Sequence, residues 1–459
     1  MTDPGPWHKL TGMSVRSVPS AAKALPVRRG VPFVGGTLAY IRDPLVFMND
    51  HLARFGPVSE MDFIGKRWTV LLGPDACGEA LRNPQKAFAS KPGWGQLVGP
   101  FFDGGLMLLD FEEHHRHRRL LQEAFTRDRL TSYVAALGPA IASGVSAWEP
   151  GQDFRAYPAL KDLTLELATK VFMGGVELDD PRELDRVNRA FIDCVQAATA
   201  LVRLPIPFTR WGRALAGRRL LEDFLGRHLA SKRTGTGEDL FSVLCHLSED
   251  GDTFSDADVV NHMIFLLMAA HDTSTITVST AMQYLGQHPD WQQRLRAEAA
   301  HLGEAPTLAE LDGLVGFDLM MKECLRLLPP VPVLARRTVK ETEILGYRIP
   351  AGRLTAVMVH LQHHQPDLWT DPETFDPDRF AEPRREDKNH RHAWEPFGGG
   401  VHKCLGMFFA GAEVKLILHH LLRQYSWTVD PSYGAPLSYA SLPFPKDGQP
   451  VDLQPLRKS

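Results

Sequence analysis

The feature that most constrains this chain is a single cysteine between a glycine-rich turn and an apolar segment. Residues 396–406 read Pro-Phe-Gly-Gly-Gly-Val-His-Lys-Cys-Leu-Gly, and the cysteine is Cys404. The residues that follow, 407–414, are apolar apart from Glu413 and predict a helix. The positive end of that helix dipole would stabilise a thiolate at Cys404, and glycine N–H groups would donate to its sulfur. The pattern therefore predicts a loop that presents a thiolate.

Two interpretations of this cysteine follow. A buried, inert thiol after a tight turn is the commoner case for a lone cysteine. The functional alternative is a thiolate that binds haem iron, a ligation that favours cleavage of the O–O bond of dioxygen. The pattern Phe-x-x-Gly-x-x-x-Cys-x-Gly, filled by Phe397, Gly400, Cys404 and Gly406, resembles the haem-binding loop of the cytochrome P-450 superfamily. The resemblance implies that Cys404 is the iron ligand, that Phe397 shields the thiolate and that Gly406 contacts the cofactor.

Length and composition exclude several other classes. The chain has 459 residues and a net charge of −4, which gives no reason to expect nucleic acid binding. Its five cysteines include no Cys-x-x-Cys pair, so a zinc site or a disulfide framework is not expected. The longest apolar run, residues 263–270, is too short to span a bilayer. We expect a cytoplasmic monomer with no transmembrane segment, in which residues 1–30 form a flexible leader and residues 31–459 form one domain.

A charged helix is predicted to open at residue 112, where Glu-Glu-His-His-Arg-His-Arg-Arg begins. His114 and Arg118 are four residues apart and therefore share a face. This face is either solvated or binds the carboxylates of a ligand. The resemblance implies the second case, with His114 and Arg118 at the haem propionates. It places Arg336 and His402 there as well.

A long helix is predicted from Ser255, which has an acid three residues later as in a capping box, to about Leu285. Residues 263–270 are apolar, and the sequence then turns abruptly polar at His-Asp-Thr-Ser-Thr. Buried polar groups in mid-helix are costly unless they have partners. Either Thr273 bonds back to a preceding carbonyl and Asp272 finds a basic partner, or the two side chains relay protons to a ligand.

The same stretch resembles the oxygen-activation segment of the superfamily. Residues 269–274 read Ala-Ala-His-Asp-Thr-Ser, and the departure from the family pattern is Ala270, where glycine is usual. The resemblance implies that Asp272 and Thr273 are the catalytic residues and deliver protons during oxygen activation. It also places Ala269 against the cofactor.

Two further stretches carry expectations for the fold. Residues 87–110 are apolar and rich in glycine, which predicts a loop, either an ordinary surface loop or a mobile lid. The pattern Glu-x-x-Arg at Glu323 and Arg326 is weak alone, because such ion pairs are common on helices. With Pro377-Asp378-Arg379-Phe380 downstream, it resembles the structural triad of the family, which implies a buried cluster of Glu323, Arg326 and Arg379.

The resemblance covers residues 114–406 and implies a mainly α protein with small β-sheets, in which a single cytochrome P-450 domain places a long central helix over the haem. The implied activity is a haem-thiolate monooxygenase that inserts one atom of O2 into a C–H or C=C bond of a hydrophobic small molecule. Haem b (iron protoporphyrin IX) is the expected cofactor and O2 the co-substrate. We expect electrons from a separate ferredoxin and its reductase, because no flavin domain follows the cysteine loop, and a positive docking face formed by Lys403, Arg116 and Arg119.

Three alternative functions remain open at this point. A peroxygenase using hydrogen peroxide would lack the acid–alcohol pair, which Asp272 and Thr273 provide here. A haem-binding sensor without turnover would not need that pair. A cysteine hydrolase would need a base beside Cys404, and His402, two residues away, would not share its face in a helix.

Overall fold

The computed structural model describes residues 23–30, 34–63, 65–174, 182–197, 200, 203–439 and 442–456. Most of the predicted leader, residues 1–22, lies outside them. Within the rest of the predicted leader, Val27–Arg28 pairs in parallel with the strand Val58–Phe63, and the Lys23 N–H donates to the Gly346 carbonyl at 2.9 Å. These contacts tie the start of the described chain to the β-structure.

Helices dominate the described residues, as the sequence predicts. They are α1 Thr37–Arg42, α2 Pro44–Phe55, α3 Pro74–Arg82, α4 Lys91–Phe102, α5 Phe111–Glu123, α6 Arg127–Ser146, α7 Ala156–Met173, α8 Arg182–Gln196, α9 Arg210–Thr234, α10 Leu240–His246, α11 Asp256–Gln287, α12 Pro289–Glu298, α13 Leu308–Asp312, α14 Val315–Leu327, α15 Val359–Gln362 and α16 Met407–Gln424.

The strands are short. They are β1 Val27–Arg28, β2 Val58–Phe63, β3 Lys66–Leu71, β4 Phe88–Ala89, β5 Phe154–Arg155, β6 Ser248–Glu249, β7 Asp252–Thr253, β8 Leu334–Thr338, β9 Thr342–Ile344, β10 Tyr347–Ile349, β11 Leu354–Val357, β12 Tyr425–Thr428, β13 Leu437–Ser438, β14 Phe444–Pro445 and β15 Pro450–Pro455. The largest sheet has the order β1-β2-β3-β11-β8-β4, and the others have two or three strands. The mainly α fold with small sheets is confirmed.

Helix α11 crosses the helical part of the molecule and is its longest element. Ser255 caps it with a capping box, because the Ser255 side chain accepts from the Asp258 N–H and the Asp258 side chain accepts from the Ser255 N–H. The predicted end at about Leu285 lies two residues before the observed end at Gln287. Helices α7, α9, α14 and α16 pack along it. The predicted long central helix is therefore confirmed.

The prediction of a loop over residues 87–110 is wrong in its middle, where α4 runs from Lys91 to Phe102 despite an internal proline, Pro100. Tertiary packing overrides the low helix propensity of its glycines, since Phe101 and Phe102 are fully buried in the main core. Gly93 lies so close to the Arg336 backbone that a Cβ atom there would clash with it. The start of α4 is therefore fixed against β8.

One helical segment, residues 400–424, is long and apolar enough by composition to cross a membrane. Within this segment, 72% of the most apolar window is buried inside the folded chain. Its apolar surface is therefore explained by packing as a core helix, and no clear transmembrane segment stands out among the described residues.

The predicted cluster of Glu323, Arg326 and Arg379 forms, with all three side chains fully buried. Glu323 accepts from Arg326 Nε at 2.7 Å through Oε2 and from Arg379 Nε at 3.1 Å through Oε1. The two guanidinium groups also donate to backbone carbonyls, among them His363 and Thr370. The cluster ties α14 to the segment that leads into the cysteine loop.

Candidate active site

Backbone geometry fixes the loop that carries Cys404. The Cys404 N–H donates to the Phe397 carbonyl at 2.9 Å, which closes the loop. Gly400 has a φ of +63°, and a Cβ atom there would clash with the Leu81 carbonyl, so glycine is required. The Cys404 side chain is exposed, and α16 begins three residues later. A Cβ atom on Gly406 would meet no atom of the described residues within 4 Å, which leaves room for a flat group to approach.

Cys404 is exposed as a residue, but protein closely surrounds its thiol, and this desolvation raises the pKa of the thiol above the ordinary value. The Gly406 N–H, Arg118 and Lys403 act in the opposite direction. The predicted support from the helix start is therefore present, but desolvation outweighs it. A bound metal ion deprotonates a coordinating thiol outright, so this result is compatible with a metal ligand.

Next to Cys404 the fold brings together the four basic residues that the family resemblance places at the haem propionates. The rings of His114 and His402 lie 3.9 Å apart between centroids. Burial lowers the pKa of His114 to about 4, with Arg118 and then Arg336 adding to the effect. Burial also lowers the pKa of His402 strongly, and Arg336 adds to it. Both imidazoles are therefore neutral near pH 7, and the positive charge of the cluster lies on Arg118 and Arg336.

This cluster lacks the partners that buried cations need. Burial lowers the pKa of Arg336 to about 10, and the hydrogen bond it donates goes from Nη1 to the Ala335 carbonyl at 2.9 Å. Within the described part of the chain, neither Arg336 nor Arg118 has a carboxylate within 4.0 Å, and the buried His114 Nε2 has no hydrogen-bond partner. The nearest acid is Asp110, which attracts Arg336 at longer range. Because unpaired buried cations are costly, the cluster fits an anionic ligand, and the two propionates of haem have the right charge.

Both side chains of the predicted acid–alcohol pair on α11 have local partners. Thr273 Oγ1 donates to the Ala269 carbonyl at 2.7 Å. Asp272 is buried, with its Oδ1 at 3.4 Å from Lys161 Nζ and 3.2 Å from His271 Nδ1. The back-bond and the basic partner expected for a structural role are thus both observed. They do not exclude the carboxylate as a proton carrier, because Asp272 Oδ1 accepts no hydrogen bond from the described residues.

Sequence reasoning missed three ionisable residues at this site. Lys161, on α7, reaches Asp272 only through tertiary packing. Glu413, on α16, is fully buried and accepts a hydrogen bond from Ser274, and burial raises the pKa of its carboxyl to about 7. Asp110 precedes α5 and has an oxygen 3.8 Å from His402 Nε2. Only Glu413 had a signal in the sequence, as the lone charge in the apolar stretch 407–414.

The three basic residues predicted to form a docking face differ in their surroundings. Lys403 is exposed. Arg116 donates to both oxygens of Asp252 at 2.6 Å, and Arg119 lies 3.8 Å from Glu249. Two of the three charges are therefore partly compensated by the β6–β7 hairpin.

Comparisons with known proteins agree with this geometry. The family model described as Cytochrome P-450 matches residues 25–448. A putative cytochrome P-450 136 from Mycobacterium tuberculosis is 44% identical over 434 residues, which cover 93% of this chain and 87% of that protein. A cyclooctat-9-en-7-ol 5-monooxygenase from Streptomyces melanosporofaciens is 29% identical, covering 89% of this chain and 90% of the relative.

Among solved structures, the retinoic-acid-bound cyanobacterial CYP120A1 superposes with a TM-score of 0.85 at 28% identity, covering 95% of this chain and all of that one. The match in fold extends over nearly the whole length of both chains. The family model spans the cysteine loop, the long helix and the buried triad together. The chain belongs to the cytochrome P-450 family and is a cytochrome P-450 monooxygenase.

Proposed function

We propose that this enzyme inserts one atom of O2 into a C–H or C=C bond of an apolar small molecule, using electrons from a separate ferredoxin and its reductase. The observation that carries the proposal is the exposed Cys404 beside Arg118 and Arg336, which have no carboxylate partner among the described residues. We further propose that the protein is a cytoplasmic monomer whose residues 31–459 form one domain.

The residues around the cysteine loop would hold haem b. Cys404 would bind the iron, and Arg118, Arg336, His114 and His402 would bind the propionates. Haem, when bound, supplies the iron that activates O2. The ring of Phe397, which is half-buried and packs edge-on against Trp394 with 6.0 Å between centroids, would shield the thiolate from water.

Asp272 and Thr273 would handle the protons that oxygen activation consumes. The Asp272 carboxylate is the group that accepts and releases a proton. Thr273 Oγ1, now bonded to the Ala269 carbonyl, can rotate to donate instead toward the centre of the site. Lys161 Nζ, 3.4 Å from Asp272 Oδ1, and His271 Nδ1, 3.2 Å from it, would hold the carboxylate in place until it takes up a proton.

The substrate class is proposed from the apolar walls and from the relatives. The wall is expected to include residues 265–269 and 331–334, which are apolar in sequence. Relatives are named for cyclooctat-9-en-7-ol and abscisic acid, and the solved neighbour holds retinoic acid. These compounds share an isoprenoid carbon skeleton with one polar end. We propose an isoprenoid of this kind as the substrate.

The experiment that tests the proposal is a carbon-monoxide difference spectrum of the reduced protein, followed by spectral titration with isoprenoid alcohols and acids. The expected result is the strongly red-shifted Soret band of a thiolate-ligated haem. Absence of this band in a haem-loaded protein would contradict the assignment of Cys404. A band without any spectral shift across the isoprenoid set would contradict the substrate class alone.

Replacing Arg336 with methionine is expected to weaken haem binding by about 1–3 kcal/mol, because a charge-assisted contact to a propionate is lost. The measurement is the rate of haem transfer from the purified protein to apomyoglobin. The neighbouring Arg337, which donates to the Gly352 carbonyl at 3.0 Å, offers the matched control. Equal transfer rates in R336M and R337M would show that Arg336 does not bind the propionates.

Replacing Asp272 with asparagine is expected to lower product formation by about 100-fold, because the amide cannot accept and release the proton. Consumption of NADPH should fall less than product formation does, so that more hydrogen peroxide is released per electron pair. Thr277→Val is the control, since the Thr277 hydroxyl bonds to the Thr273 carbonyl at 2.9 Å one turn farther along the helix. Unchanged coupling in D272N would refute the role of the carboxylate.

Reversing the charge of Lys403 to glutamate is expected to slow reduction by ferredoxin several-fold at low salt, with the difference shrinking as salt rises. Stopped-flow reduction at several ionic strengths measures this. Lys446→Glu, which makes the same charge change at another exposed site, is the control. Reduction rates that match between K403E and K446E at low salt would exclude Lys403 from the docking face.

A further inference from the structure

One buried arginine on α9 binds two other elements that border the proposed substrate wall. Arg218 is only 8% exposed, and an arginine is almost never buried to this degree unless its guanidinium has partners. Its Nη1 donates to the Phe101 carbonyl near the end of α4 at 3.0 Å, and its Nη2 donates to Asn261 Oδ1 on α11. Because the planar guanidinium can bind several acceptors at once, it joins both α4 and α11 to α9.

The contacts of Arg218 with α4 and α11 outweigh its ion pair. Within the described part of the chain, the one carboxylate within 4.0 Å belongs to Glu222, at 2.7 Å from Nε, and the Glu222 side chain is 45% exposed. Exposed pairs four residues apart on a helix contribute little to stability. The bonds to Phe101 and Asn261 are charge-assisted and lie deeper in the protein, where such bonds are stronger.

Phe101 is held from α9 by its ring as well as by its carbonyl. The Trp211 ring lies edge-on to the Phe101 ring, with 4.8 Å between centroids. Trp211 and Arg218 are seven residues apart, about two turns, and therefore share a face of α9. Two side chains of one helix face thus fix the last turn of α4.

On α11, the residue that Arg218 binds lies one turn before the proposed substrate wall. Asn261 and Phe265 are four residues apart and share a face, and Phe265 is the first residue of that wall. The chain that leaves α4 packs directly on both, because a Cβ atom at Gly104 would clash with the Asn261 side chain and one at Gly105 with Phe265. The guanidinium contacts therefore set how closely this chain lies against the wall.

We propose that Arg218 is a positioning residue for the substrate, which holds the end of α4 against Phe265 and thereby fixes the width of the apolar space at the site. The inference rests on the proposed function, because it concerns the substrate wall of the same site. Arg218 acts through Phe101 and Asn261. Without its guanidinium, the chain after α4 would no longer be held against Phe265, and ligands that depend on this wall would bind less tightly.

The test compares two probes of the haem-loaded protein by Soret titration. Imidazole needs the iron alone, whereas the phenyl group of 4-phenylimidazole also needs apolar space beside it. The ratio of the two dissociation constants reports on the wall and does not change when part of the protein is merely unfolded or free of haem. Arg218→Met should lower the preference for 4-phenylimidazole about tenfold. Arg218→Lys keeps the charge without the planar fork and should give an intermediate value.

The control is Arg213→Met, because Arg213 lies on the same helix but is exposed and donates to Asp193 at 3.0 Å. Its preference should equal that of the parent protein. If R218M is not recovered, Asn261→Ala removes one of the acceptors and decides the question.

A preference in R218M, or in Phe265→Ala, equal to that of the parent would overturn the proposal, as would an equal loss in R213M. A parent protein without any preference for the phenyl group would overturn it as well, because no apolar wall would then adjoin the iron. Absence of the thiolate Soret band in the parent would instead overturn the proposed function.

Discussion

Replacing Cys404 with serine is expected to abolish both the red-shifted Soret band of the reduced carbon-monoxide complex and the monooxygenase activity. A serine hydroxyl does not supply the electron-rich thiolate on which this ligation depends. The loop itself should survive, because its closing hydrogen bond runs from the Cys404 backbone N–H to the Phe397 carbonyl and does not involve the side chain. Spectra and product analysis of the purified C404S protein measure both effects.

Cys194→Ser is the matched control for this experiment. The Cys194 thiol is buried and donates to the Ala214 carbonyl at 3.4 Å, a bond that a hydroxyl can replace. C194S should therefore keep the Soret band and the activity of the parent enzyme. A C404S protein that retained the band would show that another residue binds the iron.

Replacing Glu323 with alanine is expected to destabilise the fold by about 3–5 kcal/mol, because the buried Arg326 loses the carboxylate with which it pairs, whereas Arg379 keeps Glu386 at 2.9 Å. Glu323 lies between Arg326 and Arg379, and all three side chains are fully buried. Neither arginine can reach solvent to recover its hydration. Urea unfolding followed by tryptophan fluorescence measures the loss, and Glu323→Gln serves if the alanine variant is not recovered.

Asp378→Ala offers the contrast for the buried triad. Asp378 pairs with Arg294 at 3.0 Å, and both side chains are about half exposed. Solvent-exposed pairs of this kind contribute only about 0–1 kcal/mol, so the urea midpoint should barely move. A loss in E323A no larger than that in D378A would mean that the buried network contributes little to stability.

Much of the fold was predictable because its signals are local. The capping box at Ser255 and the break near Gln287 define α11 from residues close in sequence. Helix α4 was not predictable in this way. Its glycines and Pro100 argue against a helix locally, and it forms because Phe101 and Phe102 reach a core built by distant segments.

The same contrast between local signals and distant contacts applies to the candidate site. Cys404 lies in a motif that can be read from neighbouring residues, and the structure gives it a fixed loop. The partners of Asp272 cannot be read in this way, because Lys161 belongs to another helix and its distance to the carboxylate is set by how α7 and α11 pack. Patterns along the chain thus identified the residue types, whereas their pairing depended on tertiary structure.

The close approach of Gly93 to the Arg336 backbone has a mechanical consequence. The start of α4 is wedged against β8, and the Ser90 N–H is held by Asp110 at 2.6 Å. Between the two ends of the helix, Cβ atoms at Gly95 and Gly99 would meet none of the described residues within 4 Å. The far end is held as well, because Phe101 and Phe102 are fully buried in the main core. Both ends of α4 are therefore fixed, and the strand that carries Arg336 is held in place by the first of them.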